Sequence, residues 1–115
     1  MFSLKRIYDP VNEDDGYRIL VDRLWPRGVS KERASLDLWM KEIAPSDALR
    51  KWFNHDSAKW DEFQLRYREE LLDKKDLIAE LKRIEKENKS VTLLYSAKDK
   101  EYNQAVALLK ILEQH

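Results

Sequence analysis

The apolar segment at residues 17–24 and the turn that follows it constrain the fold more than any other part of this sequence. Few polar residues interrupt the segment, a pattern typical of a strand that is buried on both faces. Its apolar residues are Ile19, Leu20, Val21 and Leu24. Pro26 fixes its own φ and moves the preceding residue out of the helical region, while Gly28 permits a backbone geometry closed to other residues. The sequence therefore predicts a central strand that ends in a stiff, defined turn.

Length and composition indicate a single domain that spans residues 1–115. A chain of 115 residues can bury roughly two-thirds of its unfolded surface in one core. Its 22 basic and 22 acidic residues give a formal net charge of zero, so there is no global field to attract nucleic acid or an anionic membrane. Cysteine is absent, which excludes disulfides, thiolate metal sites and thiol nucleophiles and fits a cytoplasmic location. The sequence contains no long apolar segment of the kind that forms a signal peptide or a membrane span, so neither is expected.

Two further segments complete a predicted sheet of about three strands. Residues 4–8 are a short strand candidate, and Val91–Tyr95 is rich in β-forming residues. The Pro, Asn, Asp and Gly content of residues 9–16 marks a loop. A loop this short usually joins antiparallel strands, so the residues alone leave the strand direction open. Strands interspersed with helices indicate an α/β layered domain with amphipathic helices packed on the sheet.

Apolar residues at helical spacing predict four helices. Ser46 is a good N-cap for the first, which ends near residues 54–55, and Asp56 can cap the second. The third begins near Asp76, and the last begins near Asp99. Their apolar residues are, in order, Leu49, Trp52 and Phe53; Trp60, Phe63, Tyr67 and Leu71; Leu77, Ile78, Leu81 and Ile84; and Tyr102, Ala105, Val106, Leu109 and Leu112. The aromatic residues at these positions are expected to be mainly buried.

The segment from Ser30 onward fits two patterns. Leu36, Trp39, Met40 and Ile43 have helical spacing, but Leu36, Leu38 and Met40 also alternate as in a strand. We favour a short helix here.

The turn after the apolar segment carries residues suited to binding an anion. Arg23 and Arg27 present planar guanidinium groups that match a carboxylate or phosphate. Gly28 and the hydroxyl of Ser30 lie beside them and complete a candidate anion subsite. The alternative is that both arginines pair with surface carboxylates.

A second part of this candidate site follows Val91–Tyr95. If the strands are parallel, their carboxyl ends meet at one edge, where α/β proteins bind ligands. Ser96 and the first amides of the final helix could then bind an anion, and Lys98 would add charge. In the alternative, Asp99 caps that helix and Lys98 is solvated.

Asp22 and His55 are the candidate catalytic residues. Asp22 ends the apolar strand, where burial raises and a neighbouring arginine lowers a carboxyl pKa. It could therefore transfer a proton or simply orient Arg23. His55 has a suitable intrinsic pKa for acid–base catalysis, although a structural role at a helix end is the alternative. The spacing of histidines and carboxylates indicates no metal site, and no pattern indicates a cofactor.

Several motifs together resemble the YeaO-like group of small bacterial proteins, a branch of a larger family named only as a domain of unknown function. They are Ile7-Tyr8-Asp9-Pro10, Asp15-Gly16-Tyr17-Arg18, Val21-Asp22-Arg23-Leu24-Trp25-Pro26-Arg27-Gly28, Ala44-Pro45-Ser46, Leu49-Arg50-Lys51-Trp52-Phe53, His55-Asp56 and Thr92-Leu93-Leu94-Tyr95. The resemblance implies an α/β fold with parallel central strands and no established activity. Many relatives in this group carry histidines where this chain has Tyr102 and Gln104, beside a shared Asn103.

Two functional hypotheses follow. In the first, the chain is a small cytoplasmic enzyme acting on a phosphorylated or otherwise anionic small molecule, with Ser96 and Asn103 completing the pocket around the two arginines. In the second, the same cleft is a non-catalytic binding module for a nucleotide, a nucleic-acid end or an acidic partner. The neutral charge balance argues against nucleic acid as a general partner. The sequence leaves the substrate, the reaction and the oligomeric state open.

Overall fold

A computed structural model describes residues 1–114 as an α/β structure built on a small parallel sheet, which confirms the predicted fold class. The strands are β1 (Phe2–Arg6), β2 (Tyr17–Leu20), β3 (Leu38–Trp39) and β4 (Val91–Tyr95). Their order is β1-β4-β2-β3, and each neighbouring pair is parallel. The two strands predicted to be central, β2 and β4, are parallel neighbours with Ile19 opposite Leu93.

Five α-helices accompany the sheet in the described residues. They are α1 (Lys31–Ala34), α2 (Asp47–Phe53), α3 (Trp60–Leu71), α4 (Lys75–Glu87) and α5 (Gln104–Glu113). Ser46 caps α2 as expected, because its Oγ accepts a hydrogen bond from the Leu49 amide at 3.1 Å. Asp56 caps a single 3₁₀ turn, Ser57–Lys59, that leads directly into α3. No helix within residues 1–114 is long and apolar enough to cross a membrane.

The loop between β1 and β2 does not form a hairpin, because β4 lies between those two strands. Gly16 ends this loop with a φ of +65°. A Cβ atom at Gly16 would lie 2.2 Å from the Ser90 carbonyl oxygen, which accepts a hydrogen bond from the Tyr17 amide at 2.9 Å. Glycine is therefore required where the chain enters β2 beside the segment that leads into β4.

An internal ion-pair network supports the start of β2. Asp15 and Arg18 are both buried, and the Arg18 guanidinium bonds to the Asp15 carboxylate. Lys5 Nζ lies 3.0 Å from Asp15 Oδ1. The remaining Arg18 donors reach the backbone oxygens of Ala34 and Ser35, at 2.9 and 3.1 Å. The buried charges thus have both ionic and hydrogen-bonding partners, which is the condition for burying them.

The short helix predicted in the segment from Ser30 onward is confirmed only directly after Ser30, and the apolar residues 36–43 do not form it. The structure has a helix earlier, at α1, and places Leu38–Trp39 in the sheet as edge strand β3. Amides on either side of β3 bond to β2: Asp37 N to Arg18 O and Met40 N to Leu20 O, each at 2.9 Å. The alternating pattern was the informative one, because the backbone of this segment hydrogen-bonds to the neighbouring strand β2 rather than within a helix of its own.

The bounds of three other elements differ from prediction. The first strand covers Phe2–Arg6 rather than residues 4–8, and the ladder of the central strand stops at Leu20. The final helix begins at Gln104 because Asn103, rather than Asp99, is its N-cap. Asp99 Oδ1 instead accepts the amides of Glu101 and Tyr102 in a preceding turn.

Most of the predicted aromatic core is buried. Phe53, Trp60, Phe63 and Tyr67 all lie in the main hydrophobic cluster with the apolar faces of β2 and β4. Their rings contact one another, and the Phe53 and Phe63 centroids are 4.2 Å apart. Trp52 is only partly buried, and the Arg66 guanidinium carbon lies 4.1 Å from its ring centroid.

Candidate functional site

A cleft of about 670 Å³ opens where the carboxyl ends of the parallel strands meet. Its walls come from the turn at residues 22–27, the segment at residues 44–45, the end of α2 and the loop at residues 96–99. The sequence-predicted site residues that line it are Asp22, Arg23, Arg27, His55, Ser96, Lys98 and Asn103. Parallel pairing brings these separate segments together.

Two predicted anion-binding residues lie outside the cleft lining. Gly28 has a φ of +77°, so it shapes the turn that carries Arg27. Ser30 begins α1, and its hydroxyl accepts a hydrogen bond from the Arg33 amide at 3.1 Å. Both residues hold the backbone around the cleft rather than facing into it.

Asp22 lies at the base of the cleft and is only 6% exposed. Its Oδ2 accepts a hydrogen bond from the Ser96 amide at 2.8 Å, and its Oδ1 accepts one from the Gln104 side-chain amide. Burial raises the pKa of Asp22, and hydrogen bonds from Ser96 together with the charge of His55 partly oppose that rise. Asp22 therefore ties the end of β2 to the loop after β4 and to the first residue of α5.

The Arg23 guanidinium binds backbone carbonyls rather than a carboxylate. Its Nε donates to the Pro45 carbonyl at 3.0 Å and its Nη2 donates to the Ala44 carbonyl at 3.1 Å. Lys74 also donates to Ala44 O, at 3.3 Å. Arg23 thus fixes the segment that enters α2, and its hydrogen bonds go to these carbonyls instead of to Asp22.

Arg27 differs from Arg23 because its guanidinium has no hydrogen bond or ion pair with any residue of 1–114. Its backbone is well held: the Tyr8 hydroxyl donates to Arg27 O at 2.9 Å. In the same turn, the Trp25 indole N–H donates to Val29 O at 2.6 Å. The turn therefore presents an exposed guanidinium to the cleft from a constrained backbone.

The loop after β4 is positioned by Arg6, a residue that the sequence argument missed. Arg6 Nε donates to Ala97 O at 2.9 Å and Nη2 donates to Ser96 O at 3.1 Å. Lys98, next in the loop, is exposed and has no hydrogen bond or ion pair within the described residues. A signal was available, since Arg6 ends β1 and so reaches the same edge of the sheet.

Asn103 and His55 complete the opposite side. Asn103 is buried and engaged: its Oδ1 accepts the Val106 amide at 3.0 Å and its Nδ2 donates to Asp99 O at 2.8 Å. His55 is exposed, with a φ of +56°. The amides of Tyr102 and Glu101 lower the pKa of Asp99, and the nearby His55 contributes to the same shift.

Two further cleft residues extend the cationic and apolar character of the walls. Arg50 is exposed and forms a surface ion pair with Asp47 at 3.3 Å. Trp25 is partly buried and held edge-on against Trp39, with a centroid distance of 5.4 Å. The cleft therefore combines exposed cations, an aromatic wall and a buried carboxylate at its base.

These features define a small α/β protein with a cationic cleft at the carboxyl ends of a parallel sheet. The chain belongs to the family whose model is described as "Inactive DUF488-N3 subclade", which matches residues 1–115. It is 47% identical over 104 residues to the uncharacterized protein YeaO of Escherichia coli, covering 90% of each chain. The YeaO-like resemblance is thus confirmed.

Mycobacterial relatives are also similar. The uncharacterized protein Rv3073c of Mycobacterium tuberculosis is 46% identical over 79 residues, which is 69% of this chain and 66% of the relative. The uncharacterized protein Mb3100c of Mycobacterium bovis has the same identity and coverage. No solved structure matches the chain.

Proposed function

We propose that this protein binds a small organic anion in the cleft and does not convert it chemically. The observation that carries this proposal is the unpaired Arg27 guanidinium on its constrained turn. Arg6, Arg18 and Arg23 all donate to backbone carbonyls and hold the fold together. Arg27 has the same planar set of donors without a protein acceptor, so a carboxylate or phosphate can take that place.

Lys98, in the loop after β4, also supports anion binding in the cleft. Its ammonium group has no partner within the described residues and lies on the cleft lining with Arg27. Two cations from different strand ends can neutralise a ligand charge that neither would neutralise alone. The constrained backbone of the Arg27 turn leaves little backbone freedom to be lost when a ligand binds.

Binding without turnover is supported by how Asp22 is used. Both of its oxygens accept hydrogen bonds from the protein, which gives the carboxylate a positioning role. The description of the matching family as an inactive subclade points in the same direction. The alternative is an enzyme that acts on a phosphorylated small molecule and uses Asp22 for proton transfer.

Calorimetric titration of inorganic phosphate and of a mononucleotide tests the anion-binding proposal. Arg27→Ala should weaken binding about tenfold or more, because a charge-assisted hydrogen bond contributes about 1.5–3 kcal/mol. Arg27→Lys should bind less tightly than wild type, because lysine keeps the charge but loses the planar donor pair. Arg68→Ala is the matched control, since Arg68 is an exposed arginine outside the cleft lining.

Two results would overturn this assignment. One is the absence of binding by wild type at millimolar anion, and the other is an equal loss in the Arg68 control. A screen for hydrolysis of phosphate esters separates the two functions: we expect no turnover by wild type or by Asp22→Asn. Turnover by wild type that Asp22→Asn abolishes, with binding retained, would establish the enzyme instead.

A further inference from the structure

The two buried aspartates near the ends of β2 differ in how their charges are compensated. Asp15, 8% exposed, has Lys5 and Arg18 as ionic partners. Burial acts to raise the pKa of Asp15, but hydrogen bonds from Asn12, Lys5 and Arg18 outweigh it and the net shift is downward. Asp15 is therefore a fully paired structural carboxylate.

Asp22 is equally buried, at 6% exposure, but receives only neutral donors. No lysine or arginine forms a salt bridge with it within residues 1–114. Arg23, the next residue, directs its guanidinium to the carbonyls of Ala44 and Pro45. The only charged side chain described as acting on the Asp22 carboxyl is the exposed His55.

A buried carboxylate without a cationic partner is costly, and that cost falls when a cation reaches it. Asp22 lines the cleft, so a ligand can approach it. A carboxylate has about four lone-pair positions, and the amides of Ser96 and Gln104 leave some of them available. The cleft lining thus combines a buried carboxylate without a cationic partner, Asp22, with two cations that have no acceptor in the described residues, Arg27 and Lys98.

We propose that the ligand is a small zwitterion, whose ammonium group donates to Asp22 while its acidic group is bound by Arg27 and Lys98. This inference rests on the proposed anion binding and adds a second, oppositely charged subsite to it. A cleft of about 670 Å³ is large enough to hold both ends of such a molecule. Asp22 would then be a specificity-determining residue rather than a proton-transfer group.

A matched pair of probes tests the inference directly. The probes are 2-aminoethyl phosphate and ethyl phosphate, which differ only in the terminal amine. We expect wild type to bind the amine probe about tenfold more tightly, from one charge-assisted hydrogen bond. A cleft that recognised only negative charge would prefer ethyl phosphate, because the protonated amine makes 2-aminoethyl phosphate the less negative of the two probes. The expected preference therefore runs opposite to simple charge attraction.

Variants assign each end of the probe. In Asp22→Asn the preference should fall to about twofold or less, while ethyl phosphate binds at least as tightly as to wild type. Arg27→Ala should weaken both probes by a similar factor and keep their ratio. Circular dichroism establishes that each variant is folded. If Asp22→Asn does not fold, the ratio measured on wild type decides.

The outcomes separate the two proposals. Binding of ethyl phosphate with no gain from the amine would overturn the zwitterion inference and leave anion binding intact. An amine preference that survives in folded Asp22→Asn would also overturn it. Failure of wild type to bind either probe would refute anion binding itself.

Discussion

Replacing each of the two glycines by alanine tests whether the chain must pass close to Ser90 as it enters β2. Gly16 and Gly28 both have positive φ, at +65° and +77°. They differ in space: a Cβ at Gly16 would lie 2.2 Å from the Ser90 oxygen, whereas a Cβ at Gly28 would have no atom within 4 Å. Gly28→Ala therefore measures the conformational cost alone.

Both variants carry a conformational cost for a positive φ, and at Gly16 this cost is at least as large, because its φ of +65° is combined with a ψ of −132°, outside the left-handed helical region. A left-handed backbone costs an alanine about 1–2 kcal/mol, and the loss of unfolded-state freedom returns about 0.4–1 kcal/mol. We expect Gly28→Ala to lose about 1 kcal/mol of unfolding free energy. Gly16→Ala should lose about 3–5 kcal/mol, because it also weakens the Tyr17–Ser90 hydrogen bond, about 1 kcal/mol, and adds overpacking strain of about 1–3 kcal/mol.

Urea unfolding followed by tryptophan fluorescence measures the difference. With a slope of about 1.5 kcal/mol per molar urea, the midpoint should fall by roughly 2–3 M in Gly16→Ala and by less than about 1 M in Gly28→Ala. The slope itself should not change, since the native surface is the same. Equal losses in the two variants would refute the close approach at Ser90.

Three further predictions concern the core and its buried carboxylates. Trp60→Ala should cost about 3–5 kcal/mol in urea unfolding because Trp60 is buried, and Trp52→Ala should cost clearly less because Trp52 is partly exposed; equal costs would contradict the burial difference. Tyr67→Phe should cost about 1 kcal/mol, since its buried hydroxyl donates to a backbone carbonyl at 2.7 Å, and an unchanged stability would show that this bond contributes nothing. The folded-state pKa of Asp15 is lowered, so its contribution to stability is present above its unfolded pKa, near 3.8, and is lost as pH falls below that value. The folded-state pKa of Asp22 is raised. Asp22 therefore lowers the unfolding free energy as pH rises from its unfolded pKa, near 3.8, through its higher folded-state pKa. Unfolding measured from about pH 2 to 7 should show a smaller acid loss in Asp15→Asn and a smaller loss on raising pH in Asp22→Asn.

The parts of the fold that could be predicted are those with a local signature. Burial on both faces leaves β2 and β4 as apolar runs, and Ser46 marks a helix start by its own side-chain chemistry. Strand β3 has only two residues, and its bonds to β2 depend on a distant segment, so no local pattern was decisive. For the last helix, Asp99 and Asn103 are both good caps, and only the packed structure selects Asn103.

The candidate site was predictable in outline because the carboxyl ends of parallel strands meet at one edge. That geometry brought Asp22, Arg27 and Lys98 onto one cleft. Sequence spacing could not show which arginines have protein acceptors. Arg6 and Arg23 are committed to backbone carbonyls contributed by remote segments, whereas Arg27 is not.

The position of β4 between β1 and β2 has a consequence for biosynthesis. Strand β4, which lies between β1 and β2, is the last of the four described strands to be synthesised. Strand β1 therefore has no sheet partner until residues 91–95 have left the ribosome. The helices α2 to α4 can form locally during that time, but the sheet cannot be completed from the amino terminus onwards. The sheet can therefore assemble only after β4 has been synthesised, and both neighbours of β4 expose unpaired backbone until it arrives.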